Sequence, residues 1–335
     1  MLWSRRVMLS GFALVMVWPV FLNVSGEPPP VRIREFSKGI TRGSGPNGIA
    51  AGPDGNVWFT EYDGDRIGRI TPTGRVTEFS EGITPDSGPA DITAGPDGNL
   101  WFTERRGDRI ARITPTGSVT EFSEGITPDS GPADITAGPD GNLWFTEPDD
   151  GRIGRITPTG SVTEFSEGIT PGVLEGITAG PDGNLWFTGL GRIGRITPTG
   201  AVTEFTEGLG GGPSGTAFTD DITAGPDGNL WFTENYSRIG RITPTGTITE
   251  FEKGMTAAGD AITGGPDGNI WFTEPLVDRI GRITPDGRIT EFRKGITGGP
   301  RELSGLNGIT AGPDDIWFTE GRGRVGRAAL KPSRS

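Results

Sequence analysis

The sequence predicts an all-β protein, a seven-bladed β-propeller with four strands per blade, and three observations predict it. Trp-Phe-Thr occurs seven times, at Trp58, Trp101, Trp144, Trp186, Trp231, Trp271 and Trp317, each time shortly after Gly-Pro-Asp. Successive spacings are 43, 43, 42, 45, 40 and 46 residues, and a period of this size marks propeller blades. The chain carries 58 glycines and 28 prolines and no helical apolar period, which leaves short strands between turns.

The second copy gives the elements in order. Ile92-Thr93-Ala94 is a short apolar run. Gly95-Pro96-Asp97-Gly98-Asn99 reverses the chain, with proline and glycine at positions suited to a turn. Leu100–Glu104 is bulky on both faces, which suits a strand covered from both sides. Arg109–Thr114 is a third strand, Pro115-Thr116-Gly117 a second turn, and Ser118–Phe122 a fourth strand. The Glu-Phe pair of that strand also occurs seven times, but its first copy, Glu35-Phe36, precedes the first Trp-Phe-Thr, and none follows Trp317. Arg32–Phe36 is therefore expected to complete blade seven and close the ring, since an open ring exposes a sheet edge.

Residues 1–26 differ from the repeats. Arg5 and Arg6 precede an apolar stretch, Ser10, Gly11, Pro19 and Asn23 interrupt it, and Val24-Ser25-Gly26 offers small residues for cleavage. This reads as a signal peptide, with an uncleaved anchor as the alternative. Ser-Arg-Arg-Val-Met-Leu also resembles a twin-arginine signal, with Met8 where phenylalanine is usual. Residues 27–335 are expected to form one domain, exported to the periplasm or the extracellular space, monomeric, and without stable membrane insertion. There is no cysteine, hence no disulfide and no thiol chemistry. Net charge is −12, and residues 1–26 hold two arginines and no acid, so the remainder stands at −14. That charge argues against nucleic acid as a partner.

Strand direction alternates within a blade, so the Gly-Pro-Asp-Gly and Pro-Thr-Gly turns share one face of the disc. The opposite face collects two rings of residues. One follows Trp-Phe-Thr: Glu61, Glu104, Glu147, Gly189, Glu234, Glu274 and Glu320. An arginine at the start of each following strand is expected to pair with these glutamates as exposed cross-strand ion pairs. In blade four, Gly189 would leave Arg192 without that partner. The other ring lies near the central channel, at Asn47, Ala90, Ala133, Glu175, Asp220, Asp260 and Asn307, with Asp91, Asp134 and Asp221 among the residues directly after. These acids have no repeated basic partner. Converging carboxylates repel one another, and a hard divalent cation would relieve that; pointing to water or capping backbone amides is the alternative. Asp63-Gly64-Asp65 and Asp149-Asp150-Gly151 are incomplete as calcium loops and read as turns. The linker 208–218 and the stretch 298–304 break the regularity on this same face, and the long linker would serve as a partial lid.

The repeat Ile-Thr-Ala-Gly-Pro-Asp-Gly-Asn-Leu-Trp-Phe-Thr-Glu, then Arg-Ile-Gly-Arg-Ile-Thr-Pro-Thr-Gly, then Val-Thr-Glu-Phe, closely resembles the virginiamycin B lyase (streptogramin B lyase) family over residues 31–329. The resemblance implies a seven-bladed propeller that opens a cyclic depsipeptide by elimination, with magnesium, two histidines and two glutamates. This chain has no histidine. Asp260 and Asn307 stand where the histidines would fall, Gly305 stands for one glutamate, and the other corresponds to Gly321, or to Glu320 after a one-residue shift.

The sequence thus favours a non-enzymatic propeller that binds a small molecule, peptide or protein on its loop face. Asn307, Glu175, Asp91 and Asp134 are the candidate ligand-binding residues. Asp220, Asp221 and Asp260 are candidates for a magnesium or calcium ion. The alternatives are a metal-assisted lyase using Asp260 with Glu320, and a carboxylate-based hydrolase, which needs only acids. Without His and Cys, Ser-His-Asp, Cys-His and His-zinc chemistry are excluded.

Overall fold

Leu-Trp-Phe-Thr-Glu has no small or polar face to offer water, so this strand must be covered on both sides. In the computed structural model, which describes residues 31–211, 217–297 and 305–330, all seven copies are buried along their whole length. The chain forms seven four-stranded sheets. Blade 2 comprises Pro89–Ala94, Leu100–Glu104, Arg109–Ile113 and Val119–Phe122. Blade 1 spans 46–79, blade 3 135–165, blade 4 174–205, blade 5 219–251 and blade 6 262–292. Blade 7 joins Leu306–Ala311, Asp315–Glu320 and Arg324–Ala329 to Arg32–Phe36 from the other end of the chain. Arg32–Phe36 runs antiparallel to Arg324–Ala329, with Phe36 opposite Val325. The ring therefore closes as the displaced Glu-Phe pair predicts.

The core lies between blades. Trp58 of blade 1 packs with Ile92, Leu100 and Phe102 of blade 2, and Trp144 of blade 3 packs with Leu185 and Phe187 of blade 4. Each tryptophan also stacks on the phenylalanine of its own fourth strand, as in Trp101–Phe122 at 5.4 Å. The second arginine of Arg-Ile-Gly-Arg-Ile covers both rings and reaches the next blade: Arg112 lies over Trp101 and Phe122 and donates to the Pro158 carbonyl at 3.2 Å. Arg327 makes the same bond from blade 7 back to Pro72 at 2.9 Å. The cation–π contact holds the arginine over its own blade, and the hydrogen bond links blades 1 to 6 in succession and blade 7 back to blade 1; among the described residues Arg282 of blade 6 instead pairs with Asp267 of its own blade at 3.7 Å.

The glutamate ring departs from the expected exposed ion pairs. Glu61, Glu104, Glu147, Glu234, Glu274 and Glu320 are fully buried. Each faces its arginine in register, and among the described residues the expected pair forms in three blades, Arg109–Glu104 at 4.0 Å, Arg238–Glu234 at 3.9 Å and Arg324–Glu320 at 3.7 Å, but with the glutamate buried. In others the guanidinium turns to the fourth-strand glutamate, as in Arg152–Glu164 at 2.9 Å and Arg66–Glu78 at 3.4 Å. The outer carboxylate is nearer water and costs less to keep charged. Burial, followed by the neighbouring Glu78 carboxylate, pushes Glu61 up to about 8. Arg192 is not left unpaired by Gly189: it binds Glu204 at 2.9 Å and sinks to 4% exposure.

Candidate functional site

The threonine of Trp-Phe-Thr builds the site. It is buried, and its hydroxyl accepts a backbone N–H from its own first strand and donates to a carbonyl of the next blade. Thr146 accepts from Asp134 at 3.1 Å and donates to Glu175 at 2.7 Å. Thr188 links Gly176 to Asp220 at 2.8 and 2.6 Å, and Thr233 links Asp221 to Asp260 at 3.0 and 2.6 Å. Thr319 donates to the Asn47 carbonyl and completes the circle. A buried hydroxyl satisfied on both sides holds its partners in place. It fixes the two residues per blade that face the axis, and these line a central cavity of about 300 Å³ to which all seven blades contribute.

The predicted acids fall into two classes there. Asp91, Asp134 and Asp221 line the cavity but bind backbone amides of a neighbouring blade. Asp91 accepts from Ile135 N–H at 3.1 Å. Asp134 accepts from Ile135 at 2.9 Å and Ile177 at 2.5 Å, and Asp221 from Ile222 at 2.7 Å and Ile262 at 2.8 Å. They clip one blade to the next. Burial raises all three, and in Asp91 the Asp134 charge adds to it.

Glu175, Asp220 and Asp260 line the same cavity, and no hydrogen bond reaches their carboxylates from the described residues. Burial, then the charges of Asp260 and Glu175, push Asp220 up to about 7. Burial pushes Asp260 up to about 6. Glu175 is raised by burial, against the pull of Arg105. Glu175 is the exposed member of the three, and carboxylates that share one mouth without donors favour a cation there.

Asn307 lines the cavity with its amide N–H committed to the Pro46 carbonyl at 2.8 Å. Glu320 is not at the mouth: it is fully buried within blade 7, 3.7 Å from Arg324. Among the described residues no three acidic side chains are arranged to share one metal ion. Asp221 has both oxygens engaged by amides, which leaves Asp220 and Asp260 as the members of the predicted metal trio with free oxygens. The linker residues 212–216 and the stretch 298–304 lie outside the described residues, as do residues 1–26.

Arg105 was not singled out from sequence. It lines the central cavity and an adjoining one of about 340 Å³ that includes Tyr62, Asp63 and Asn307. The signal was present: the residue after each Trp-Phe-Thr-Glu varies from copy to copy, and this copy alone places an arginine there. Arg105 brings a guanidinium into a mouth whose acids without hydrogen-bond donors among the described residues lie on blades 4 to 6, and its charge reaches Glu175.

The comparisons with known proteins agree with this frame. The virginiamycin B lyase family matches residues 31–221 and 177–333. A virginiamycin B lyase from Staphylococcus aureus is 36% identical, with a TM-score of 0.82 over 90% of this chain and 100% of that one. A streptogramin B lyase is 37% identical, with a TM-score of 0.80 over 90% of this chain and 98% of that one. A catalytically inactive histidine-to-alanine variant of the Staphylococcus aureus enzyme, solved with quinupristin, is 35% identical, with a TM-score of 0.80 and coverage of 90% and 100%. The curated proteins contain no match to this chain. With its family match spanning nearly all of the described residues and its fold shared from end to end with these enzymes, the chain belongs to the virginiamycin B lyase family.

Proposed function

We propose that this protein is a binding propeller whose channel mouth takes a ligand through a cationic group. One observation carries the proposal: Glu175, Asp220 and Asp260 line one mouth with no hydrogen-bond donor among the described residues, and the charges of Asp260 and Glu175 raise the cost of ionising Asp220. A cation entering there gains charge-assisted bonds and lowers all three carboxyls towards their ordinary range. An ammonium group suits the arrangement, since it makes three bonds without demanding a fixed coordination sphere. Calcium or magnesium would require Asp220, Asp260 and Glu175 to move closer together. The absence of histidine supports binding over catalysis, because the base that elimination uses near neutral pH is missing. The proposal places the protein outside the cytoplasmic membrane, as a monomer with no nucleic-acid partner. Among the described residues no helix is long and apolar enough to cross a membrane.

The test is a set of melting curves at matched ionic strength with calcium, magnesium or ethylammonium. At least one should raise the midpoint, and Asp220→Asn with Asp260→Asn should remove the rise. No response to any of the three sinks the proposal.

A second reading rests on Asp260 alone. Burial lifts its carboxyl to about 6, close to where a general base is both available and strong enough near neutral pH. Asp260 would then abstract the proton in a lyase-type elimination. Mass spectrometry of a streptogramin B antibiotic incubated with the protein and magnesium decides this. Turnover that disappears in Asp260→Ala supports elimination, and an intact antibiotic excludes it.

A further inference from the structure

Blade 4 is built differently at its rim. Its second and third strands, Leu185–Gly189 and Arg192–Ile196, are joined by only Leu190 and Gly191, whereas Leu143–Glu147 and Arg152–Ile156 of blade 3 are joined by residues 148–151. Gly189 permits the change. A Cβ there would lie 3.2 Å from both Leu174 and the Arg192 guanidinium, which fill the space a glutamate takes in the other blades. The shortened hairpin leaves a recess of about 130 Å³ lined by Val173, Leu190, Phe218 and Thr219, with Glu175 and Asp220 at its inner edge. Those two acids also line the central cavity, so the recess lies beside the mouth. Val173, Leu190 and Phe218 are 45%, 41% and 42% exposed. The five exposed large apolar residues among the described residues all lie between 173 and 276, on loops of blades 4 to 6. A cluster of apolar side chains left open beside carboxylates that accept no hydrogen bond from the described residues is an unusual surface for a propeller.

We infer that this recess seats the apolar part of an amphiphilic cation, a ligand whose ammonium group enters the acidic mouth beside Glu175 and Asp220. The inference rests on the proposed cation-binding role of the mouth and adds the chemistry next to the charge. Charge complementarity fixes which end faces inward. The three apolar side chains, set to one side of the acids, give the tail a direction. A metal ion or a polar cation would use the mouth and leave this surface wet. A second copy of the chain would bring its own negative charge, −12 over the whole sequence, against the acidic mouth.

The experiment is calorimetric titration of the intact protein with methylammonium and with n-hexylammonium, repeated on Leu190→Ser with Phe218→Ser and on Asp220→Asn with Asp260→Asn. Hexylammonium should bind at least about tenfold more tightly than methylammonium, as expected if a few methylenes leave water. The serine pair should erase that preference while leaving methylammonium binding in place. The asparagine pair should weaken both amines. Equal binding of the two amines overturns the recess inference alone and leaves the mouth proposal standing. Failure of both amines overturns the recess inference, and the mouth proposal falls with it when calcium and magnesium also give no melting response. Sedimentation that shows a dimer dissolved by the serine pair assigns the surface to self-association and overturns the inference.

Discussion

Blades 2 and 3 and blades 4 and 5 share one frame and present opposite surfaces. The buried strands, the tryptophan–phenylalanine stacks and the threonine links repeat in both. Above that frame, the rim of blades 1 to 3 is held by charges: Arg106 lies over Tyr62 and binds Asp63 at 3.3 Å, and Arg105 meets Asp149 at 3.8 Å. Blade 4 has lost a glutamate and two loop residues at its rim, and blades 4 and 5 expose Leu190 and Phe218 there. At the axis the same split recurs. The position that holds Ala90 and Ala133 in blades 2 and 3 holds Glu175 and Asp220 in blades 4 and 5, which have no donor among the described residues, while Asp91, Asp134 and Asp221 at the next position are spent on backbone amides in both regions. A repeat protein keeps its stability in what recurs and is free to place binding where the copies differ.

The largest effect should be blind to this difference. Trp144→Ala in blade 3 and Trp186→Ala in blade 4 each empty a fully buried position between blades. Each should cost about 3–5 kcal/mol in urea unfolding. A blade 4 substitution costing far less would mean that the frame itself weakens there, and the comparison would break.

An intermediate effect separates the two regions through pH. Burial pushes Glu147 of blade 3 up to about 7, from an ordinary value of 4.5. A carboxyl raised on folding stabilises the protein fully below its unfolded value and loses that contribution as pH rises through its folded one. Glu147 therefore favours the fold at pH 4.5 and ceases to do so by about pH 8, as do Glu61 and Glu104, both raised to about 8. Glu164 is lowered by Thr127 and Arg152 and acts oppositely, losing its contribution below its ordinary value. The melting temperature should thus peak near pH 5 and decline towards pH 8. Glu147→Gln should flatten the decline. Gly189 makes the same contribution impossible in blade 4. A melting temperature that climbs from pH 5 to pH 8 would contradict the buried, protonated ring.

How much of this was legible in the sequence follows from the same contrast. Period, turns and the displaced Glu-Phe pair specify the blades and their closure, because each is a local pattern repeated many times. The burial of the glutamate ring was missed, although five bulky residues in a row signal a strand covered to its last position. The neighbouring acids Asp220 and Asp221 were grouped as partners for one ion. Both line the cavity, across an irregularity in strand pairing between Thr219 and Ile222, but Asp221 spends its oxygens on the Ile222 and Ile262 amides while Asp220 accepts none from the described residues, a difference sequence cannot show. The role of the Trp-Phe-Thr threonine was hidden by its regularity: nothing in one repeat reveals a bond to the next. The recess at Val173, Leu190 and Phe218 depends on a missing glutamate and a shortened hairpin, which sequence shows only as a lapse in the pattern.

The smallest effect lies on the charged rim. Arg106→Ala removes an exposed ion pair and a stacking contact, and should change unfolding free energy by no more than about 0.5 kcal/mol. It should also leave amine binding unchanged, since Arg106 is remote from the acids of blades 4 to 6 in the ring. A marked loss of binding would extend the functional surface to blades 1 to 3 and blur the comparison.

The most direct test is carboxylate-resolved NMR of the intact protein, titrated with pH and then with n-butylammonium. Asp220 and Asp260 should titrate near about 7 and 6, fall towards the ordinary carboxylate range when the amine is added, and shift together with Glu175, while Asp91 and Asp134 stay still. Amine-induced shifts spread evenly over all these acids, or confined to Asp91 and Asp134, would contradict a binding site set apart from the frame in blades 4 to 6.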